Sequence, residues 1–308
     1  MKIKELYALP EELSSKSAFV ALVGRPNVGK SSILNALIGE KVAIVTAKPQ
    51  TTRTRITGVL TRGGTQLVFI DTPGLHKPRT ALSRYMVRQI SESVVDVDLA
   101  VLVTEPDNRL SKADEELIEN FRRLSLPAVA VINKVDTVRD KAELMPKMAL
   151  LSERFAFEHI IPVSALTGDG MELLCDVLMT YGHESPHFFP DDALTDQPER
   201  VLCAEMIREK LLMFMSEEIP HGVAVTIEQM KERPDGSMLD IQALIYCERE
   251  NHKGMIIGKG GKMLKKIAAA ARADMEDFLG VHVNLQCWVK VRDDWRNEER
   301  SLRNFGFQ

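Results

Sequence analysis

Short apolar runs alternate with longer amphipathic stretches between residues 18 and 181. Each run is rich in β-branched residues, and each is followed by a segment with the periodicity of a helix. This alternation predicts a mainly parallel, doubly wound α/β sheet. The predicted strands are residues 18–23, 67–70, 99–104, 128–132 and 160–163.

One pair of apolar runs breaks the alternation. Residues 55–60 and 66–70 have no helical segment between them, and Gly63 and Gly64 lie in the short connection. A glycine pair between two strand-like runs favours a tight hairpin. We therefore predict that these two strands pair in antiparallel fashion at an edge of the sheet.

The pattern changes between Gly182 and Pro198, where His, Pro, Phe and Asp accumulate and the periodicity disappears. We interpret this segment as a linker, which predicts a first domain at residues 17–182, a linker at 183–198 and a second domain at 199–308. Beyond the linker the pattern indicates a compact α+β unit in the order α-β-β-loop-α-β. Its predicted elements are residues 199–217, 223–230, 239–247, 262–279 and 281–291, followed by a short polar tail.

Composition and charge narrow the class of protein. The chain has 308 residues, 44% hydrophobic and 27% charged, which is ordinary for a globular protein of two domains. No stretch approaches the roughly 18 to 20 apolar residues that span a bilayer, so we expect an intracellular protein. The net charge is only −4, yet Lys253 to Arg272 carries basic residues without any Asp or Glu. This local patch is a candidate for contact with nucleic acid.

A glycine-rich loop lies between the first predicted strand and the helix that follows it. Its sequence fits the pattern G-x-x-x-x-G-K-[ST], in which backbone N–H groups surround phosphate oxygens. The Lys is expected to hold the β- and γ-phosphates, and the Ser is expected to ligate Mg²⁺. The residues predicted at the phosphates are Gly24, Arg25, Pro26, Asn27, Val28, Gly29, Lys30, Ser31 and Ser32.

Two polar elements follow neighbouring strands, at the edge where a doubly wound sheet binds its ligands. They are Asn133-Lys134-Val135-Asp136 and Ser164-Ala165-Leu166, and both resemble the guanine-recognition elements of translation-factor-related GTPases. The resemblance implies that Asp136 accepts hydrogen bonds from the guanine N1–H and 2-amino groups. It also implies that Asn133 braces the loops, that Lys134 packs over the ring and that the Ala165 N–H meets the 6-oxo group. Adenine lacks the matching donors, so we expect GTP and GDP as the ligands.

Two further segments have the character of nucleotide-sensing switches. Asp71-Thr72-Pro73-Gly74-Leu75 follows an apolar strand, where Asp71 is placed to hold Mg²⁺ through water and the Gly74 N–H to sense the γ-phosphate. The other segment, Gln50-Thr51-Thr52-Arg53, offers a Thr hydroxyl for the same Mg²⁺, and we favour Thr52 over Thr51.

The catalytic group that many GTPases use is absent. A Gln that orients the attacking water often follows the second-switch Gly, whereas Leu75 stands at that position here. An apolar side chain cannot orient water, so we expect slow intrinsic turnover that depends on Lys30, Thr52, Gly74 and Asn27. Asn27 matches an Asn with which relatives bind K⁺; the alternative is an Asn that only braces the loop.

A second glycine loop precedes the predicted helix 262–279. It contains G-x-x-G inside the basic patch, within the order α-β-β-loop-α-β, and this combination resembles a type II KH domain. Such a loop holds the backbone of single-stranded RNA, and lysines balance the phosphate charge. The predicted RNA-binding residues are Ile257, Gly258, Lys259, Gly260, Gly261, Lys262 and Lys265.

Taken together, these motifs resemble the Era family of bacterial ribosome-assembly GTPases, in the TrmE-Era-EngA-like group, over nearly the whole chain. Residues 207–211, with the sequence Ile-Arg-Glu-Lys-Leu, and residues 285–291 add to the likeness. The resemblance implies a monomeric GTPase that binds the 3′ end of 16S ribosomal RNA and assists maturation of the 30S subunit. It also implies a cytoplasmic location with peripheral association to the inner membrane.

Two other classes of GTPase would have the same nucleotide site. One is a GTPase that serves a tRNA-modification system, and the other is a switch that acts on protein or membrane partners. The KH-like unit and the lack of a terminal reactive Cys motif argue against the first. The basic G-x-x-G loop argues against the second, because a switch that acts on protein partners needs no site for phosphates.

Overall fold

The computed structural model describes residues 15–46, 48, 51–53, 56–71, 82, 97–215 and 222–306. Within these ranges the chain forms two separate sheets, one from its first part and one from its last part. The segment that joins them lies against the first sheet.

The first sheet has the strand order β2-β3-β1-β4-β5-β6. Strands β1, β3, β4, β5 and β6 run parallel to their neighbours, and β2 pairs with β3 in antiparallel fashion at one edge. The parallel sheet and the edge hairpin that the hydrophobic pattern predicts are both confirmed. The strands are β1 Lys16–Val23, β2 Ile56–Arg62, β3 Thr65–Asp71, β4 Leu99–Thr104, β5 Ala128–Ile132 and β6 His159–Pro162.

Helices cover both faces of this sheet, because its strands are apolar on both sides. One face packs against a core that includes Leu34 and Leu174, and the other against a core that includes Ile118 and Leu151. Because these strands are parallel, their carboxyl ends lie at the same edge of the sheet, where the loops can contact a ligand. The helices described are α1 Lys30–Ile38, α2 Lys112–Leu124, α3 Met145–Arg154 and α4 Met171–Met179.

The predicted linker has more structure than its sequence suggests. Strand β7, His183–Glu184, pairs with the start of β1. The Phe188 and Phe189 amides donate to Gln66 Oε1 at 2.9 and 3.0 Å. These contacts involve residues far apart in sequence, which is why local periodicity does not reveal them.

The second sheet belongs to a smaller α+β unit with the strand order β10-β9-β8. Strand β10 is parallel to β9, and β8 is antiparallel to it. Helices pack on one face around Ile207, Ile245 and Ile267. The elements are α5 Glu199–Phe214, β8 Ala224–Glu232, β9 Leu239–Cys247, α6 Glu250–Ile257, α7 Lys262–Leu279 and β10 Val283–Val291.

The predicted order α-β-β-loop-α-β is wrong in one element, because helix α6 precedes the glycine loop. This helix starts with a polar turn and buries only Ile256 among its residues. One buried apolar residue is too few to give the hydrophobic periodicity that predicts a helix. The observed order is therefore α-β-β-α-loop-α-β.

The tail predicted to be polar carries a small apolar cluster. Trp295 and Leu302 are buried together with Ala224 of the second sheet and Leu82 of the first part of the chain. The Trp295 Nε1 donates to the Gly222 carbonyl oxygen at 2.9 Å. The tail, which includes helix α8 Glu299–Asn304, thus closes over the second sheet and contacts the first part of the chain.

Candidate functional site

The phosphate loop connects β1 to the amino end of α1. Gly29 has φ 100°, and a Cβ at this position would lie 2.1 Å from Asn133 Nδ2. No other residue fits there without moving the Asn side chain. The loop therefore brings the first N–H groups of α1 to the cavity, where they can bind an anion.

Lys30 lies at the bottom of this loop. Its Nζ donates to the Gly24 and Arg25 carbonyl oxygens at 3.2 and 3.1 Å. Burial lowers the pKa of Lys30, while the charges of Asp71 and Asp114 act in the opposite direction. A buried ammonium group held by loop carbonyls can transfer its hydrogen bonds to phosphate oxygens, with which it has a stronger electrostatic interaction.

Three oxygen atoms meet at one side of the loop. Ser31 Oγ donates to Asp71 Oδ2 at 2.6 Å and lies 3.0 Å from Thr52 Oγ1, which is 3.5 Å from the same carboxylate oxygen. Two hydroxyls and one carboxylate are the hard oxygen donors that Mg²⁺ prefers. The residues present therefore fit a magnesium ion.

The neighbouring Thr51 has different partners. Its Oγ1 donates to the Lys48 carbonyl oxygen at 2.6 Å and lies 2.7 Å from Thr46 Oγ1. The structure thus brings Thr52, and not Thr51, to Ser31 and Asp71.

The base-recognition elements also come together. Asn133 Nδ2 donates to the Val28 carbonyl oxygen at 2.8 Å, so this side chain joins the phosphate loop to the loop after β5. Ser164 Oγ donates to Asp136 Oδ1 at 2.5 Å and orients that carboxylate. The Ala165 N–H donates to Asn133 Oδ1 at 3.1 Å. A guanine 6-oxo group that accepts from the Ala165 N–H would have to share this donor with Asn133 Oδ1 or displace that oxygen.

Two adjoining cavities give the site its shape. The first, about 490 Å³, lies over the phosphate loop, and the second, about 870 Å³, lies between the base-recognition elements. Lys134 borders both and has φ 65°. Its Nζ donates to the Asn27 carbonyl oxygen at 2.6 Å, so the Lys stem lies beside the space for a base. Leu166 is 84% exposed at the rim.

Some predicted site residues have other partners, and some lie outside the described residues. The Arg25 guanidinium pairs with Asp107 and Asp114 at 3.4 and 3.5 Å, so its charge is directed away from the phosphate loop. Part of the switch prediction lies outside the described residues. This part comprises Gln50, Thr72, Pro73, Gly74 and Leu75.

The second glycine loop joins α6 to α7. Gly258 has φ 71°, and a Cβ there would lie 2.7 Å from the Met263 Cβ, so the turn requires glycine. Gly260 and Gly261 also have positive φ and open space around them. The loop ends at the amino end of α7, where free N–H groups favour an anion. Lys259, Lys262 and Lys265 are exposed around it, whereas Ile257 is half-buried.

Sequence reasoning missed the residues with which the second unit lines the base cavity. Glu209 and Met213 of α5 and Asp277 of α7 line it from the second unit. A signal was present in α5, since Arg208, Glu209 and Lys210 form a charged triplet that is buried in an apolar helix. Long charged side chains are rarely buried unless they have partners.

Comparison with known proteins gives two family matches. Residues 19–134 match the model of the 50S ribosome-binding GTPase family, and residues 218–296 match the model of the KH domain. GTPase Era of Clostridioides difficile is 48% identical over 292 residues, which cover 95% of this chain and 98% of that protein. GTPase Era of Caldanaerobacter subterraneus is 46% identical over 296 residues, which cover 96% and 99%.

Two solved structures share the whole architecture. One is Era in complex with MgGDPNP and nucleotides 1506–1542 of 16S ribosomal RNA, with a TM-score of 0.91, 38% identity and coverage of 95% of this chain and 99% of that chain. The other is an Aquifex aeolicus Era variant bound to GDP and AlF4⁻, with the same TM-score of 0.91 and 38% identity. In the part of the chain that the structure describes, no helix is both long and apolar enough to cross a membrane.

Proposed function

Since the chain belongs to the Era family of GTPases, we propose that it couples GTP hydrolysis to binding of the 3′ end of 16S ribosomal RNA during assembly of the 30S subunit. The chain is a GTPase that uses Mg²⁺. One observation carries the proposal: a nucleotide site and an exposed basic G-x-x-G loop lie on one chain, as in a related Era that holds both ligands.

In the nucleotide site, we propose that Lys30 and the N–H groups of α1 bind the β- and γ-phosphates. Asp136 is the residue that selects guanine, and Ser164 keeps its carboxylate in the required orientation. Ser31, Thr52 and Asp71 would hold Mg²⁺, which when bound neutralises charge on the phosphate oxygens. Asn133 contributes by fixing the two loops to each other.

The hydrolysis rate is proposed to be slow without a further factor. Leu75 stands where an orienting Gln would be useful, and the Asn27 side chain is exposed in the phosphate loop. Asn27 and Gly74 remain proposed catalytic residues together with Lys30 and Thr52. We propose that K⁺ bound near Asn27 supplies positive charge to the reacting phosphate.

For RNA, we propose that the loop from Gly258 to Gly261 holds the sugar-phosphate backbone. Its glycines allow close approach, and Lys259, Lys262 and Lys265 neutralise phosphates. These contacts do not read sequence by themselves, so base selection requires the half-buried surface beside Ile257.

The domain limits remain those proposed from the sequence: a GTP-binding domain at 17–182, a linker at 183–198 and an RNA-binding domain at 199–308. A monomeric state and peripheral attachment to the inner membrane are predictions of the family resemblance. Sedimentation equilibrium tests the first. Co-sedimentation with vesicles that contain anionic lipid tests the second.

The central experiment measures binding of a fluorescent oligonucleotide with the 16S 3′ sequence, in the presence of GDP or a non-hydrolysable GTP analogue. Wild type should bind more tightly with the GTP analogue, and Gly258→Asp combined with Gly261→Asp should abolish binding. Gly280→Asp is the matched control for Gly261→Asp, because both glycines have positive φ and open space, and Gly280 ends α7 away from the loop. Absence of RNA binding in wild type, with guanine nucleotide still bound, would instead favour a protein partner.

A further inference from the structure

Helix α5 of the RNA-binding unit contacts the backbone of the segment that carries Thr52. Arg208 Nη2 donates to the Thr51 carbonyl oxygen. One residue later in the helix, Glu209 Oε1 accepts from the Val45 N–H at 2.9 Å. Arg208 and Glu209 are 2% and 1% exposed. Two adjacent side chains of one helix turn therefore hold two points of the same segment.

The residue after Thr52 is also held by the second unit. Arg53 Nη1 donates to the Val223 carbonyl oxygen at 2.6 Å, and the guanidinium lies 6.0 Å from the ring centre of Trp295. Thr52 thus lies between the Thr51 carbonyl group and the Arg53 side chain, and both of these are hydrogen-bonded to the RNA-binding unit. Its own hydroxyl lies 3.0 Å from Ser31 Oγ and 3.5 Å from Asp71 Oδ2.

Arg208 is itself well anchored. Its Nε donates to Glu205 Oε1 at 2.7 Å, and Glu205 lies one turn earlier on the same helix. A buried guanidinium with a fixed stem and a carboxylate partner has little freedom to rotate. Small errors in the position of a metal ligand weaken the site strongly, so a fixed Arg is suited to place Thr52.

We propose that Arg208 is a positioning residue for the magnesium site, through which the RNA-binding unit places Thr52 against Ser31 and Asp71. The inference rests on the proposed role of Thr52 and adds a residue from outside the GTP-binding unit. It also gives a function to Arg208 and Glu209 of the buried charged triplet. Because Thr51 directly precedes the proposed metal ligand, we expect a change that moves α5 away from Thr51 to displace Thr52 and to weaken the magnesium-dependent binding of GTP.

The test compares Arg208→Met with Arg200→Met. The first variant removes the guanidinium while keeping an apolar stem, and the second alters an exposed Arg near the start of the same helix. Affinities of a fluorescent non-hydrolysable GTP analogue and of GDP are measured with Mg²⁺ and with EDTA. For Arg208→Met we expect the gain in analogue affinity that Mg²⁺ provides to fall about tenfold. Affinities in EDTA, and all values for Arg200→Met, should match wild type.

An unchanged magnesium gain in a folded Arg208→Met variant would overturn the proposal and leave Arg208 as an ordinary interdomain contact. Arg208→Lys covers the case in which the Met variant does not fold. It keeps the positive charge, but a single ammonium group replaces the planar guanidinium. We therefore expect a smaller loss of the magnesium gain. A wild-type magnesium gain in Arg208→Lys would equally overturn the proposal. Failure of wild type to bind guanine nucleotide with Mg²⁺ present would contradict the proposed nucleotide site instead.

Discussion

Asp136 shows how one side chain selects a base. Ser164 Oγ holds one of its carboxylate oxygens at 2.5 Å, and the residue borders the base cavity. In the Asp136→Asn variant, an amide replaces a carboxylate that would accept from the N1–H and 2-amino groups. We expect GTP affinity to fall about 100-fold, since two charge-assisted hydrogen bonds are weakened.

Xanthosine triphosphate provides the complementary measurement, because it carries a 2-oxo group that can accept from the new amide. It should therefore compete better than GTP for Asp136→Asn and worse than GTP for wild type. Asp140→Asn, an exposed carboxylate beyond the cavity, is the control. Equal loss of both nucleotides would show that Asp136 supports the loop without reading the base.

Asn27 gives a prediction about monovalent ions. We expect wild type to hydrolyse GTP at least about tenfold faster in K⁺ than in Na⁺, if the cation supplies part of the charge of an arginine finger. Asn27 has φ 65°, so Asn27→Gly removes the side chain without backbone strain. This variant should lose the difference between the two salts while it still binds GDP. Equal wild-type rates in K⁺ and Na⁺ would refute the cation role.

The sequence predicts the place of some residues in the site and not that of others. The sequence analysis favours Thr52 over Thr51, and the structure brings the Thr52 hydroxyl to Ser31 and Asp71. Arg208 could not be placed, because its partner is a backbone carbonyl more than 150 positions earlier in the chain. A backbone carbonyl has no sequence signature, so such a contact becomes visible only when the chain is folded.

Among the elements, the glycine loop and α7 together form the proposed phosphate site. Lys259 and Lys262 are exposed on either side of Gly261, at the amino end of the helix. We expect Lys259→Ala and Lys262→Ala each to weaken RNA binding and to reduce the slope of log affinity against log salt by about 0.7, the value for one phosphate on a single strand. Lys290→Ala, an exposed Lys on β10, is the control. Unchanged slopes in both loop variants would place the RNA elsewhere.

Elements with strong periodicity were predicted almost to the residue, as β4 Leu99–Thr104 and α7 Lys262–Leu279 show. Their signal is local, because β4 is buried along its whole length and α7 buries Ile267, Ala271 and Met275 at a regular spacing of four residues. Helix α6 and the pairing of β7 were missed because the first has one buried residue and the second depends on a strand far away in sequence. Tertiary contacts, not propensity, decide such elements.

At the scale of the whole molecule, the two units meet in a group of four charges. Lys41 Nζ lies 2.6 Å from both Glu209 Oε2 and Asp274 Oδ2, and Lys210 Nζ lies 2.6 Å from the same oxygen of Asp274. Lys41 belongs to the GTP-binding unit and the other three to the RNA-binding unit. Each cation has a carboxylate partner, so loss of one acid leaves two ammonium groups with a single counter-charge.

This group makes the interdomain contact dependent on pH. Burial alone would raise the pKa of Asp274, but hydrogen bonds from Lys210 and Lys41 outweigh it and hold that pKa below the ordinary 3.8. Burial acts to lower the pKa of Lys41, and its bonds to Asp274 and Glu209 raise it above 10.5. The Asp274 contribution to stability is therefore complete above about pH 4 and is lost as the pH falls through the folded value. The Lys41 contribution is lost only as the pH rises through its own folded value.

Asp274→Asn tests this dependence through the melting temperature measured by circular dichroism from pH 8 to pH 3.5. At neutral pH we expect the variant to melt roughly 2 to 4 °C below wild type, which corresponds to about 1 kcal/mol for a partly exposed pair. The difference should stay constant down to about pH 5 and narrow below pH 4, because Asp274 then becomes protonated in the unfolded chain before it does so in the folded wild type. Asp277→Asn, an exposed acid on the same helix, should follow wild type throughout. A difference that persists unchanged at pH 3.5 in folded protein would mean that Asp274 acts through its shape and not its charge.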